Sequence, residues 1–182
     1  MKRLLFVIPV AAFVALAFWF AAGLGRDPGY IPSMLINRPA PQFALPPIAG
    51  RARGFASDEL MDQVSMVNIF GSWCASCEIE HPVLMEIAAE KIAPVYGLDW
   101  KDKPGAGAAW LGKRGDPYAA IGDDADGRVA IEFGVTGAPE TFIIDAEGRV
   151  RHKHVGAITR EDWRRVLKPM IEDLKKNAPA AD

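Results

Sequence analysis

Two cysteines, Cys74 and Cys77, stand in the stretch Gly71-Ser72-Trp73-Cys74-Ala75-Ser76-Cys77-Glu78-Ile79-Glu80-His81-Pro82, and they are the only two of the chain. At this spacing the second thiol can reach back within one helical turn to close or reopen a disulfide. An apolar run of β-formers, Met66-Val67-Asn68-Ile69-Phe70, comes before them. A helix-like pattern, Ile79, Val83, Leu84, Ile87 and Ala88, comes after. That order puts Cys74 where a buried strand passes into the first turn of a helix. Unpaired backbone N–H groups and the helix dipole favour an anion there, so the thiolate is stabilised. A structural disulfide is a weaker reading, because closing so small a loop constrains the unfolded chain little. A metal centre needs roughly four ligands, and beyond the thiols the histidines are His81, His152 and His154. Two inert buried cysteines at this spacing are the third alternative. A redox-active dithiol fits the pattern better than any of these.

The elements that must hold the pair follow from periodicity. A strand is expected at about 65–70 and a helix at 75–91, with Pro82 inside it and bending its axis. Further strands are expected at 93–100 and 118–121, and helices at 106–115 and 129–135. Thr141-Phe142-Ile143-Ile144 and Val150–Val155, separated by Asp145-Ala146-Glu147-Gly148-Arg149, read as a hairpin. On its second strand His152 and His154 share parity, as a solvated pair rather than as ligands. A capped helix should run from Thr159 to about Lys176, burying Trp163, Val166, Leu167, Met170, Ile171 and Leu174 along one stripe. Gln42–Leu45 reads as a short edge strand and Ser57–Met61 as a short helix. Asp123-Asp124-Ala125-Asp126-Gly127 lacks the spacing and terminal Glu of a calcium loop and reads as a solvated turn. Strands alternating with helices, then a late hairpin, give an α/β protein whose mixed sheet carries helices on both faces.

A length of 182 residues with 50% hydrophobic content suits one modest domain plus an extra segment. The net charge of -2 gives no sign of nucleic acid as a partner. The extra segment is at the start. Lys2 and Arg3 precede an apolar run from Leu4 to about Leu24, which ends in the aromatics Phe18-Trp19-Phe20. About twenty such residues cross a bilayer core of roughly 30 Å as a helix. The expectation is therefore an N-terminal transmembrane helix, 1–24, with cleavage near Ala21-Ala22-Gly23 as the alternative. A tether (25–41), a domain (42–177) and a tail (178–182) follow. The basic start should stay cytoplasmic and send the domain into the periplasm or an equivalent exterior, where disulfides persist.

A second stretch, Gly134-Val135-Thr136-Gly137-Ala138-Pro139-Glu140-Thr141-Phe142, places a proline just before a strand. With Trp73-Cys74-x-x-Cys77 and Pro82 it resembles the thioredoxin superfamily. More narrowly, the apolar start, Cys77-x-x-Glu80-His81-Pro82 and the Gly-Ala-Pro-Glu-Thr-Phe stretch look like the CcmG/DsbE family of cytochrome c maturation. The chain differs from many members in having Ala75-Ser76 between the cysteines, and Thr136 where some carry tyrosine. The resemblance implies a thioredoxin-like fold with Pro139 cis and packed against the dithiol. It implies a periplasmic, membrane-anchored thiol:disulfide reductase, needing neither cofactor nor metal. The electron donor would be a membrane protein of the DsbD/CcdA kind. The target would be the disulfide of apocytochrome c or of a maturation partner. Cys74 would be the attacking thiolate and Cys77 the resolving thiol. Trp73, Thr136, Ala138 and Pro139 would line the substrate groove. Glu80 and Glu140 would approach the sulfurs in such a fold and raise their pKa. A general periplasmic oxidoreductase of the same fold, a metal-delivery module and a passive docking protein are the competing functions.

Overall fold

The computed structural model describes residues 2–23 and 34–178, and on the first helix the side chains of 8–20. The chain divides into two compact units near residue 31, and each is described by itself. In the first, α1 (Lys2–Gly23) is one helix with Pro9 inside it. Among the described residues no helix is long and apolar enough to cross a membrane; the transmembrane helix expected over 1–24 extends past those residues at both ends. Much of the expected tether (25–33) and the end of the tail (179–182) also lie outside the described residues.

The second unit is built on a five-stranded sheet. Its strands are β3 (Ser65–Phe70), β4 (Val95–Trp100), β5 (Ile121–Asp124), β6 (Glu140–Ile144) and β7 (Val150–Val155), in the order β5-β4-β3-β6-β7. β3, β4 and β5 run parallel, while β6 and β7 are antiparallel additions. A separate ribbon pairs β1 (Ala44–Leu45) with β2 (Phe55–Ala56). β3 lies at the centre and is buried along its whole length. Alternation therefore divides its side chains between two cores. Met66 and Phe70 face α2 (Ala75–Glu90), α3 (Ala106–Arg114) and the C-terminal helix, packing with Leu84, Ile87, Leu111, Leu167 and Ile171. Val67 and Ile69 face the other way, toward Phe43, Phe55, Val129, Phe133 and Phe142. Helices thus cover both faces, α4 (Arg128–Glu132) among those on the second.

Four expectations are corrected. The strand expected at 118–121 lies at Ile121–Asp124. Its register is set by β4, where Gly97 pairs with Ile121 and Trp100 with Asp124. Asp124 is consequently buried and not part of a solvated turn; its carboxylate accepts the N–H groups of Val129 at 3.1 Å and Ala130 at 2.9 Å, capping α4. The C-terminal helix is interrupted: α5 (Arg160–Asp162) leads through a π turn (Trp163–Leu167) into α6 (Lys168–Lys176). Pro169 has no N–H to donate and its ring crowds the carbonyl four residues back, so the wider turn relieves both. The shifted phase leaves Val166 43% exposed, outside the stripe. Finally, the end of the expected tether is part of the domain: Asn37 N–H donates to the Val150 carbonyl at 2.7 Å and Ala40 N–H to that of Gly148 at 2.8 Å.

Candidate active site

The parallel strand β3 delivers the chain to one edge of the sheet, and the turn Gly71-Ser72-Trp73 carries it into α2. Cys74 is the N-cap of α2, with extended backbone (φ -91°, ψ 109°), and the Cys77 N–H donates to its Sγ at 3.1 Å. That N–H is one of the four at a helix start that have no partner within the helix. The two cysteines are joined in a disulfide, with Cα atoms 5.3 Å apart. Cys74 is 6% exposed and Cys77 3%, so both cysteines are buried, Cys74 slightly less so. Trp73 beside it is 54% exposed. Gly71 packs against the Trp73 ring: a Cβ there would lie 2.6 Å from the indole nitrogen, so the ring would have to shift. The helix continues through Pro82 to Glu90.

Across from the sulfurs lies the turn before β6. The Ala138–Pro139 peptide is cis, and the Ala138 carbonyl oxygen stands 3.3 Å from Cys74 Sγ. Cys74 and Ala138, 64 positions apart in the chain, are thus brought together, with Trp73 and Pro139 as their chain neighbours. Thr136 is nearby in the chain but committed elsewhere: its N–H (3.1 Å) and its hydroxyl both donate to Oε1 of Glu140.

The two glutamates part company. Glu80 is 1% exposed and lies one helical turn beyond Cys77 on the buried side of α2. Asn68 Nδ2 donates to its Oε1 at 2.7 Å and the Ile158 N–H to its Oε2 at 3.4 Å. Burial pushes its carboxyl up to about 8, against these hydrogen bonds. Glu140 is placed differently. It shares parity with Phe142 and Ile144 on β6, and these pack on the face opposite α2. There its Oε2 pairs with Lys153 Nζ at 3.0 Å, both side chains buried. Lys153 also donates to the Gly134 carbonyl at 2.8 Å, so the pair braces the 134–139 turn from behind.

Asn68 and Tyr118 were not singled out by sequence, although Asn68 is the one polar residue in an apolar run. Besides serving Glu80, the Asn68 amide donates to Thr141 Oγ1 at 2.9 Å, and its Oδ1 accepts the Tyr118 hydroxyl at 2.7 Å. Every polar atom of this side chain is therefore used. Asn68→Leu leaves the Glu80 carboxyl and two hydroxyls without it. The expected cost is about 3–5 kcal/mol, at roughly 1–3 for each orphaned group; a urea midpoint shift worth less than about 1 kcal/mol counts against a structural role for the network.

A dithiol at a helix start, opposite a cis-proline on a mixed five-stranded sheet, defines the thioredoxin-like thiol:disulfide oxidoreductases. Comparison with known proteins agrees. The Redoxin family matches residues 36–167. The thiol:disulfide interchange protein DsbE of Allochromatium vinosum is 43% identical over 95% of this chain and 96% of that protein. DsbE of Pseudomonas aeruginosa is 38% identical over 96% of each. A solved thiol:disulfide interchange protein of the thioredoxin family from Chlorobium tepidum superposes with a TM-score of 0.59 at 27% identity, covering 73% of this chain and 94% of that one. The chain belongs to the DsbE family of thiol:disulfide interchange proteins, and its activity is thiol:disulfide exchange.

Proposed function

We propose that the chain is a membrane-anchored periplasmic reductase that passes two electrons from Cys74 and Cys77 to a disulfide of apocytochrome c or of a cytochrome c maturation partner. A membrane protein of the DsbD/CcdA kind would reload it. Lys2 and Arg3 ahead of the apolar run support the anchor and the outward placement of the domain. In the reaction the Cys74 thiolate attacks one sulfur of the target disulfide, and the other sulfur leaves as a thiolate. Cys77 then attacks Cys74 Sγ, releasing the second target thiol and leaving the disulfide seen here. The two enzyme thiol protons end on the two target thiols.

Glu80 is the observation that carries the reducing direction. Its carboxyl, pushed up to about 8 by burial, is mostly protonated at neutral pH, and only its minor carboxylate form can take the proton that Cys77 gives up. Its charged form disfavours a second anion one turn away, which raises the thiol pKa and makes the disulfide a weaker oxidant. Trp73 offers an exposed flat surface next to the sulfurs. The backbone around Ala138 and Pro139 offers an edge on which an extended target segment adds as a strand. Redox equilibration with glutathione tests the direction: a potential between about -200 and -270 mV is expected, and one near -120 mV, as for a strong oxidant, overturns it. In Cys77→Ser the intermediate cannot resolve. A polypeptide bearing Cys-x-x-Cys-His should remain bound at Cys74; capture only of proteins without that motif removes the cytochrome assignment.

A further inference from the structure

The turn that presents Cys74 is tied to the loop after β4 by contacts the reaction scheme does not use. The Ser72 N–H donates to Asp102 Oδ2 at 2.6 Å and the Ser72 hydroxyl to Asp102 Oδ1 at 2.8 Å. The Trp73 indole N–H donates to the Trp100 carbonyl at 3.2 Å. Behind Asp102 lies a second carboxyl, Asp99, 4% exposed at the end of β4. It occupies a space left by the absence of a side chain on Gly107, where a Cβ would come within 2.0 Å of Asp99 Oδ2. Asp102 and Asp123 act on Asp99 electrostatically, and the Asp99 Oδ1 is buried with no hydrogen-bond partner among the described residues.

We propose that Asp102 is a positioning residue for thiol exchange, fixing Ser72 and so the Trp73–Cys74 segment, and that the buried Asp99 carboxyl behind it holds Asp102 in place. The inference rests on the reductase reading of the same site. Two carboxyls in contact cannot both ionise cheaply. Asp102 receives three donors, the third being the Lys103 N–H at 2.8 Å, so it carries the charge. Asp99 receives none from the backbone among the described residues and carries the proton. The groups that face Asp99 are of one sign or neutral. Asp102 comes from the loop, Asp123 from β5 directly beside it in register, and the Tyr118 hydroxyl from the segment before β5. Burial first, then Asp102 and Asp123, push Asp99 up to about 8. Above that pH both partners are anionic and repel, and Ser72 loses its anchor.

The test is carried out on the full-length protein. The amide proton shift of Ser72 is followed by NMR from pH 6 to 9, and kcat/KM is measured for reduction of a disulfide-closed Cys-x-x-Cys-His peptide. The Ser72 signal should titrate with a midpoint near 8. Asp99→Asn should abolish that titration, while Glu80→Gln should leave it in place. Asp102→Asn should lower kcat/KM about tenfold, as for a slightly displaced reacting group. If that variant does not fold, Ser72→Ala should still lower kcat/KM measurably, and Ser72→Thr, which keeps both donors, should restore it. A Ser72 titration unchanged in Asp99→Asn, or wild-type kcat/KM in a folded Asp102→Asn or in Ser72→Ala, overturns the proposal. A wild-type protein inactive on the peptide overturns the reductase reading, and the Ser72 signal then decides the Asp99–Asp102 contact separately.

Discussion

Cys74→Ser will reduce disulfide exchange by about a thousandfold or more, while Cys77→Ser will retain the first step and stop at the mixed disulfide. The asymmetry comes from position. Cys74 caps α2, and its sulfur already receives the Cys77 N–H; it is the sulfur that stands beside the Ala138 carbonyl and Trp73. A serine hydroxyl is not ionised near neutral pH and cannot take over as nucleophile. The measurement is a stopped-flow exchange assay on the reduced proteins. Turnover by Cys74→Ser within tenfold of wild type, or a mixed disulfide trapped at Cys77 instead, removes the assignment.

The Glu80 contribution to stability will fall as the pH rises from about 5 to 8, and Glu80→Gln will remove that part of the slope. The folded protein holds the Glu80 proton up to about 8, whereas the unfolded chain releases it near the ordinary value of 4.5. Between those values the native state binds more protons than the unfolded one, so rising pH favours unfolding. The contribution is full below pH 4.5 and gone once the pH passes about 8. Each bound proton gives roughly 1.4 kcal/mol per pH unit, so about 2–3 kcal/mol separates pH 5.5 from pH 7.5 for Glu80 alone. Asp99 acts in the same direction over the same range, and that part of the slope should survive in Glu80→Gln. Urea unfolding at the two pH values measures it; equal slopes in wild type and Glu80→Gln would mean that the carboxyl is ionised when folded.

The elements around the dithiol were legible because their pattern is local. Met66–Phe70 is a short apolar run, α2 shows helical spacing, and the hairpin has its turn residues in order. What stayed hidden depends on pairing between distant strands. β5 follows β4 in register and not its own run of apolar residues, which moved it to Ile121–Asp124 and buried Asp124. The partnership of Asn68 with Tyr118, fifty positions away, leaves no periodic trace. The polar residue inside an apolar strand was the available signal, at Asn68 and again at Asp99. Glu140 is different, since its placement was within reach of sequence. Strand alternation groups it with Phe142 and Ile144, but its adjacency to Pro139 suggested the opposite side. Val166 was misplaced because the pattern assumed an unbroken α-helix.

The buried Lys153–Glu140 pair has a bearing on which proteins this molecule can serve. It is a clamp beneath the ledge formed by Ala138 and Pro139, so on the proposed mode of docking the receiving surface does not remould itself to its visitor. Adaptation is left to the other side, and the clients best suited to such a stiff ledge are polypeptides caught before they have folded.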